Sequence, residues 1–186
     1  MDSRQRDWPR AWLMTDERMG DALWPAIDRL PEGEAGIVVR HQALEPSMRS
    51  ALAARIATIC RSRGLVLAIA GDGALARDVG ADLVHNPGEA GSLPHSRSVH
   101  SPKEAAFARR DGAALVFVSP VFATRSHPGD VPLGPAEARR IAAAAGVPAI
   151  ALGGMNAERF EALEGEGFHG WAAIDAWLNE TAGPRT

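Results

Sequence analysis

Two stretches of this 186-residue chain hold the residue types from which an anion site is built. Ala151-Leu152-Gly153-Gly154-Met155-Asn156 sets two glycines between an apolar run and a helical stretch. Backbone N–H groups can approach an anion closely there, with no Cβ in the way. Residues 119–129 pack Ser119, Thr124, Arg125, Ser126 and His127 into one polar loop, a set suited to an oxyanion or phosphate. Phe122 lies in the same loop and would need a partner there, which argues for a lid. Other polar groups stand at the C-terminal limits of short apolar runs. They are Thr15 and Asp16, Arg40-His41-Gln42, Gly71-Asp72, His85-Asn86, His100-Ser101, Ser119 and Asp175. His41, His85, His100 and His127 follow this rule and, with aspartates, could compose a metal centre, although no pair has the i, i+4 spacing of helical ligands. Blander roles compete for each residue. Asp16, Asn156 and Asp175 could cap helices, Arg40 and Asp72 could sit in structural ion pairs, and the histidines could be hydrogen-bonded at a rim.

The elements that would position these groups alternate along the chain. Apolar runs at 12–15, 36–40, 65–70, 82–86, 97–100, 114–119, 148–152 and 170–174 read as eight strands. Most are continuous rather than alternating, the mark of strands buried on both faces. Helices fit between them. Pro46 opens one with a stripe of Leu52, Ile56, Ile59 and Cys60, and Gly64 closes it. Ser101 and Glu104 have the spacing of a capping box, Pro135 and Gly146 bracket a third helix, and Asn156 can cap a fourth. Three helix-stop-to-strand segments begin at Gly80, Gly112 and Gly146, 32 and 34 residues apart, a span suited to one or two βα units. Eight strands alternating with helices predict a compact α/β (β/α)8 TIM barrel with short loops. An open doubly wound sheet would want a Gly-rich fingerprint after an early strand, and the chain has none. Residues 87–96 leave little room for a helix between the fourth and fifth strands. We read 1–10 as an N-terminal extension, 11–180 as the barrel and 181–186 as a tail. In such a barrel the C-terminal strand ends form one face, and the loops after the seventh and eighth strands often bind phosphate.

Composition narrows the function classes. Hydrophobic residues make up 46% of the chain, which excludes a disordered polypeptide. A net charge of −3 leaves no electrostatic footprint for nucleic acid or an anionic membrane. The single cysteine, Cys60, excludes an internal disulfide framework and a Cys-based zinc site. The charged head lacks the apolar run of a secretory signal, so the expected address is cytoplasmic.

Taken in order, Leu13-Met14-Thr15-Asp16, Gly36–Arg40, Gly80–His85, Ser98-Val99-His100-Ser101, Ser119–Thr124 and Ala151–Met155 resemble the thiamine phosphate synthase and thiazole tautomerase superfamily. The resemblance covers about residues 11–178. It implies that a hydroxymethylpyrimidine diphosphate and a thiazole phosphate are joined with Mg2+ as cofactor, and that the partners are small phosphorylated heterocycles. Carried across, Arg40 binds diphosphate, Asp72 binds magnesium, Ser98 and Thr124 contact substrate, and Gly153-Gly154 cradles the thiazole phosphate. Gln42 and His127 stand where the family has lysines, Gly71 where it has Asn, Ala90 where it has a second acid, and Asp175 where it has Ser. His127 joins Arg40, Asp72, Ser98 and Thr124 as an expected catalytic residue, and Gln42, Ser119, Ser126 and Asp175 join the glycines as expected substrate- or phosphate-binding residues. The tautomerase branch, whose catalytic His aligns with Pro120, is one alternative, with His100 or His127 as its acid–base group. A non-catalytic phosphate-binding barrel is the other.

Overall fold

Eight parallel strands form where the sequence runs apolar: β1 (Ala11–Met14), β2 (Ala35–Val39), β3 (Val66–Ala70), β4 (Leu83–His85), β5 (His95–Val99), β6 (Leu115–Val118), β7 (Ala149–Leu152) and β8 (Gly170–Ala173). They close into one ring in chain order, with β8 paired to β1. The structure is a computed structural model that describes residues 7–89, 91–125, 129, 131–163 and 167–178. Outside the ring lie α1 (Leu23–Asp28, after a 3-10 turn at Glu17–Ala22), α2 (Pro46–Arg63), α3 (Gly73–Val79), α4 (Pro102–Arg110), α5 (Gly134–Ala145), α6 (Ala157–Leu163) and α7 (Asp175–Leu178). This is the expected (β/α)8 barrel. Among the described residues no helix separates β4 from β5, as the short 87–96 segment required.

Alternation along each strand divides the residues between two cores. Inside the ring, Trp12 meets Phe117 edge to face at 5.6 Å, and Phe117 meets His85 at 5.1 Å. Register sets Trp12 beside Gly36, where a Cβ would run into the indole, so glycine makes room for the largest interior side chain. On the outer face, Ile37, Val39, Leu67 and Ile69 join Ile56, Ala57 and Cys60 of α2, all buried. Val116, Val118, Ala149 and Ala151 pack with Ala105 of α4 and Ile141 of α5 in the same manner. Burial on both faces is what made the strands read as continuous apolar runs.

Helix ends follow the sequence signals. Ser101 Oγ accepts from Glu104 N at 3.2 Å, Asn156 Oδ1 accepts from Arg159 N at 2.8 Å, and α2 and α5 stop at Gly64 and Gly146. Seven strands end within one residue of their expected limits, and β5 differs most. β5 begins at His95 rather than residue 97, because His95 and Ser96 are buried polar residues that no hydropathy pattern marks. The β1–β8 seam is tied by Trp171 N donating to Arg10 O at 2.7 Å and His169 Nε2 donating to Trp8 O at 2.5 Å. A Cβ at Gly170 would collide with the Arg10 backbone at the same seam. Beside it the Trp171 and Trp177 rings stack at 5.1 Å, and Trp177 Nε1 donates to Trp12 O at 3.0 Å. No helix among the described residues is long and apolar enough to cross a membrane.

Candidate active site

The C-terminal ends of the strands surround a cavity of about 470 Å³. Of the residues singled out from sequence, Arg40, Ser119, Thr124, Gly153, Gly154 and Asp175 line it. Gln42, Asp72 and Ser98 are not among its lining residues and stand at the C-terminal ends of β2, β3 and β5. Ser126 and His127 lie outside the described residues.

The glycine pair forms a turn that no other residue could make. Gly153 and Gly154 have φ of 95° and 61°. A Cβ on Gly153 would lie 2.8 Å from Pro120 Cα, and one on Gly154 would lie 2.5 Å from Ala123 O. The close approach is to the loop after β6, which is stitched down by Val121 N donating to Leu152 O at 2.9 Å and Phe122 N to Gly153 O at 3.0 Å. Phe122 therefore has its partners. Its ring carries the Arg159 guanidinium at 4.8 Å, and Arg159 donates to Gly154 O, so this aromatic is an anchor of the turn rather than a free lid.

On the other side of the cavity, Arg40 is held from two directions. Its Nε donates to Thr15 O at 2.8 Å and its Nη2 to Asp16 Oδ2 at 2.9 Å. Asp16 also receives Arg18 Nε at 2.7 Å and Arg18 N at 3.0 Å, so it caps the following turn and binds two cations at once. The Arg18 hydrogen bond, with the charges of Arg18 and Arg40, holds the Asp16 carboxyl below the usual carboxylate range against its partial burial. Burial lowers the Arg40 pKa and Asp16 opposes that. Thr15 Oγ1 accepts from Arg40 N at 3.1 Å and lies 2.9 Å from Nδ1 of the buried His41. Burial pushes the His41 pKa down, so the imidazole is neutral and adds no charge to the site.

Asp72 caps α3, its Oδ1 accepting from Leu75 N at 2.9 Å, while Oδ2 lies 3.4 Å from Arg49 Nη1. Arg49 in turn donates Nη2 to Ala70 O at 2.5 Å. Arg40 and Asp72 are thus both in ion pairs, with Asp16 and Arg49. Gln42 Nε2 lies only 2.8 Å from where a Cβ of Gly71 would be, which sets its amide against the turn that carries Asp72. Mg2+ is commonly held by one or two carboxylates with substrate phosphates and water completing its shell. Asp72 Oδ2, held by a long ion pair to Arg49, suits an ion that arrives with a diphosphate. Among the described residues no three His, Cys, Asp or Glu side chains converge to hold a bare ion.

His85 and Ser98 belong to one network beneath this rim. Asn86 Oδ1 accepts from Ser98 N at 2.7 Å, which fixes the amide so that Nδ2 donates to Ser98 Oγ at 3.1 Å and to His85 Nε2 at 3.2 Å. His85 must then carry its proton on Nδ1, which donates to Ser96 Oγ at 3.0 Å. Burial first, then the charges of Arg40 and Arg97, pushes the His85 pKa down to about 3. His100 lines the cavity, and its Nδ1–H donates to Ser119 O at 2.6 Å, so in the neutral ring Nε2 keeps the lone pair. His41, His85 and His100 thus stand in separate hydrogen-bond networks.

Sequence reasoning passed over Arg18, Arg49 and the double role of Asp16. Asn86, placed at a strand end from sequence, is a non-glycine residue at φ 47° directly after β4.

A family profile described as thiamine monophosphate synthase matches residues 12–177. A provisionally named thiamine-phosphate synthase 2 of Aquifex aeolicus is 27% identical over 184 residues, covering 91% of this chain and 98% of that protein. The thiamine biosynthesis bifunctional protein ThiM/ThiE of Symbiobacterium thermophilum is 33% identical over 138 residues, 68% of this chain and 29% of that protein. Among solved structures, a thiamine phosphate pyrophosphorylase from Pyrococcus furiosus superposes with a TM-score of 0.78 at 21% identity, covering 95% of this chain and 90% of that one, a likeness of fold.

Proposed function

The chain belongs to the thiamine monophosphate synthase family, and from that premise we propose that it joins hydroxymethylpyrimidine diphosphate to thiazole phosphate, releasing diphosphate and forming thiamine phosphate. The observation that carries the reading is the pairing of two anion-binding features on one cavity. Arg40 at the end of β2 and the Gly153–Gly154 turn after β7 stand three strands apart around the ring. Each substrate brings one phosphorylated group, and each feature takes one.

The reaction breaks the bond between the pyrimidine methylene carbon and the diphosphate oxygen, which leaves with the electron pair. The thiazole nitrogen then donates its lone pair to the cationic carbon, with no net proton transfer. Arg40, fixed by Asp16 and Thr15 before substrate arrives, faces the charge that grows on the leaving oxygens. Asp72 would hold magnesium together with the diphosphate, and a bound magnesium ion would supply further charge neutralisation of the leaving group. Gly153 and Gly154 seat the thiazole phosphate, and Ser119 and Thr124 contact substrate from the adjoining loop. The apolar wall of Met14, Leu133 and Leu152 keeps water from capturing the carbocation. The thiazole tautomerase reading has less support, since the matching family profile and the Aquifex relative are named for synthase chemistry.

Purified protein supplied with both substrates and magnesium should form thiamine phosphate and diphosphate in equal amounts. Arg40→Gln and Asp72→Asn should each lower kcat by about 10²–10³-fold, the usual effect of deleting one preorganised electrostatic contact. A folded protein that forms no product, or variants as active as the parent, would overturn the reading.

A further inference from the structure

At the cavity mouth a chain of charges runs from β2 to β8. Arg40 meets Asp16, Asp16 meets Arg18, and Arg18 Nη1 reaches Arg125 O at 3.5 Å. Arg125 Nε then pairs with Asp175 Oδ2 at 3.1 Å, which ties the loop after β6 to the end of β8. Asp175 lines the same cavity as Gly153 and Gly154, and so does Thr124, the neighbour of Arg125. A carboxylate in that position repels a phosphate monoester, which itself carries about −1.5 to −2 charges at neutral pH. The contact is monodentate, and the side chains of Arg125 and Asp175 are 75% and 39% exposed, so it is an ion pair of the weak, exchangeable kind. A guanidinium binds phosphate oxygens in two-pronged fashion, which a single carboxylate oxygen does not match.

Resting on the thiazole-phosphate side assigned above, we infer that Arg125 is an anion-binding residue of this cavity and that Asp175 is its internal stand-in for phosphate. Phosphate binding exchanges one anion for the other: the Arg125–Asp175 contact breaks, Arg125 turns to the phosphate, and the Asp175 carboxylate moves into solvent. Asp175 thereby sets a threshold on affinity, and Arg125 brings to the mouth a fixed cation that the β6 loop would otherwise lack among its described residues.

The test is a binding cycle with inorganic phosphate, read by calorimetry on the parent protein, Asp175→Asn, Arg125→Gln and the double variant. Asp175→Asn should tighten phosphate binding at least about threefold, and Arg125→Gln should weaken it by a similar factor, the scale of an exposed charge pair. In the Arg125→Gln background the gain from Asp175→Asn should shrink, since the competition for Arg125 is gone. The inference is overturned if Asp175→Asn leaves phosphate affinity unchanged or weaker, if its gain persists in full without Arg125, or if none of the four proteins binds phosphate. Thermal unfolding checks that each variant is folded. The readout needs no turnover, so it is separable from the synthase assay. Proteins that show the cycle but form no product retain the inference and lose the synthase reading, and active proteins without the cycle do the reverse.

Discussion

Mild acid should destabilise this protein before its carboxylates begin to titrate, and His85 is the reason. The side chain is 4% exposed, gives its Nδ1–H to Ser96, accepts from Asn86 at Nε2 and rests against Phe117. A second proton on Nε2 would face the Asn86 N–H and turn to Ser98 Oγ, 3.3 Å away, so the charge would be buried against neutral hydroxyls. Burial accordingly drives the pKa from 6.5 to about 3. Between those two values the unfolded chain binds a proton that the folded one refuses. Stability from neutral His85 is therefore complete above pH 6.5 and is lost as pH falls toward the folded-state value of about 3. The loss runs at about 1.4 kcal/mol per pH unit, or about 2 kcal/mol by about pH 5. Because the folded-state value lies far below 5, that figure is set almost entirely by the unfolded pKa. Asp16 and Asp111, whose pKa values are lowered from 3.8, lose their contribution only as pH falls through still lower values. His41 shifts in the same direction as His85 and cancels between variants. Urea unfolding at about pH 7.5 and about pH 5 would measure the difference in the parent and in His85→Gln, with midpoints and slopes fitted together. The glutamine protein should be less stable at the higher pH but should lose about 2 kcal/mol less on acidification. An identical pH dependence in both proteins, or an NMR titration of His85 near its unperturbed value in the folded state, would refute the reasoning.

Two further outcomes follow from the site. Gly153→Ala places a Cβ against the Pro120 backbone at a φ of 95°, so it should cost about 2 kcal/mol or more in thermal or urea unfolding and raise the KM for thiazole phosphate. Unchanged stability and KM would mean that the turn does not hold the phosphate loop. Magnesium should bind the protein alone weakly and tighten strongly when diphosphate is added, with Asp72→Asn removing the coupling. Calorimetric titration with and without diphosphate reads this directly, and tight magnesium binding by the protein alone would contradict a site with one carboxylate.

The eight strands were legible because a parallel sheet covered on both faces leaves an apolar imprint in the sequence, and Ile37-Val38-Val39 or Leu67-Ala68-Ile69 can be little else. Caps were legible for a similar reason: Ser101 with Glu104, and Asn156 with Arg159, are local geometry written in local spacing. β5 lost its first two residues because His95 and Ser96 are buried by partners on other elements, Asp111 and His85. The site was legible as a list and not as an arrangement. Arg40 with Asp16, Asp72 with Arg49, and Arg125 with Asp175 are separated by 24, 23 and 50 residues, and only ring closure decides which strand ends meet. Asp16 shows the cost of treating helix capping and ligand chemistry as rival roles, since its carboxylate caps a turn with one oxygen while steadying Arg40 with the other.

The seam between β1 and β8 has a consequence for synthesis. Trp8 and His169, which meet there, are 161 residues apart, so β1 waits for β8 to be made. Until β8 appears, the growing sheet has two raw edges, β1 and whichever strand was made most recently, and each can pair with a neighbouring nascent chain. The seam then removes both edges in one step. Gly170 is what lets β8 pass the Arg10 backbone, and the Trp171–Trp177 stack settles beside it. A truncation inside the last βα unit would thus do more than delete a strand. It would leave the sheet open at both edges, the state in which this fold is most prone to aggregate.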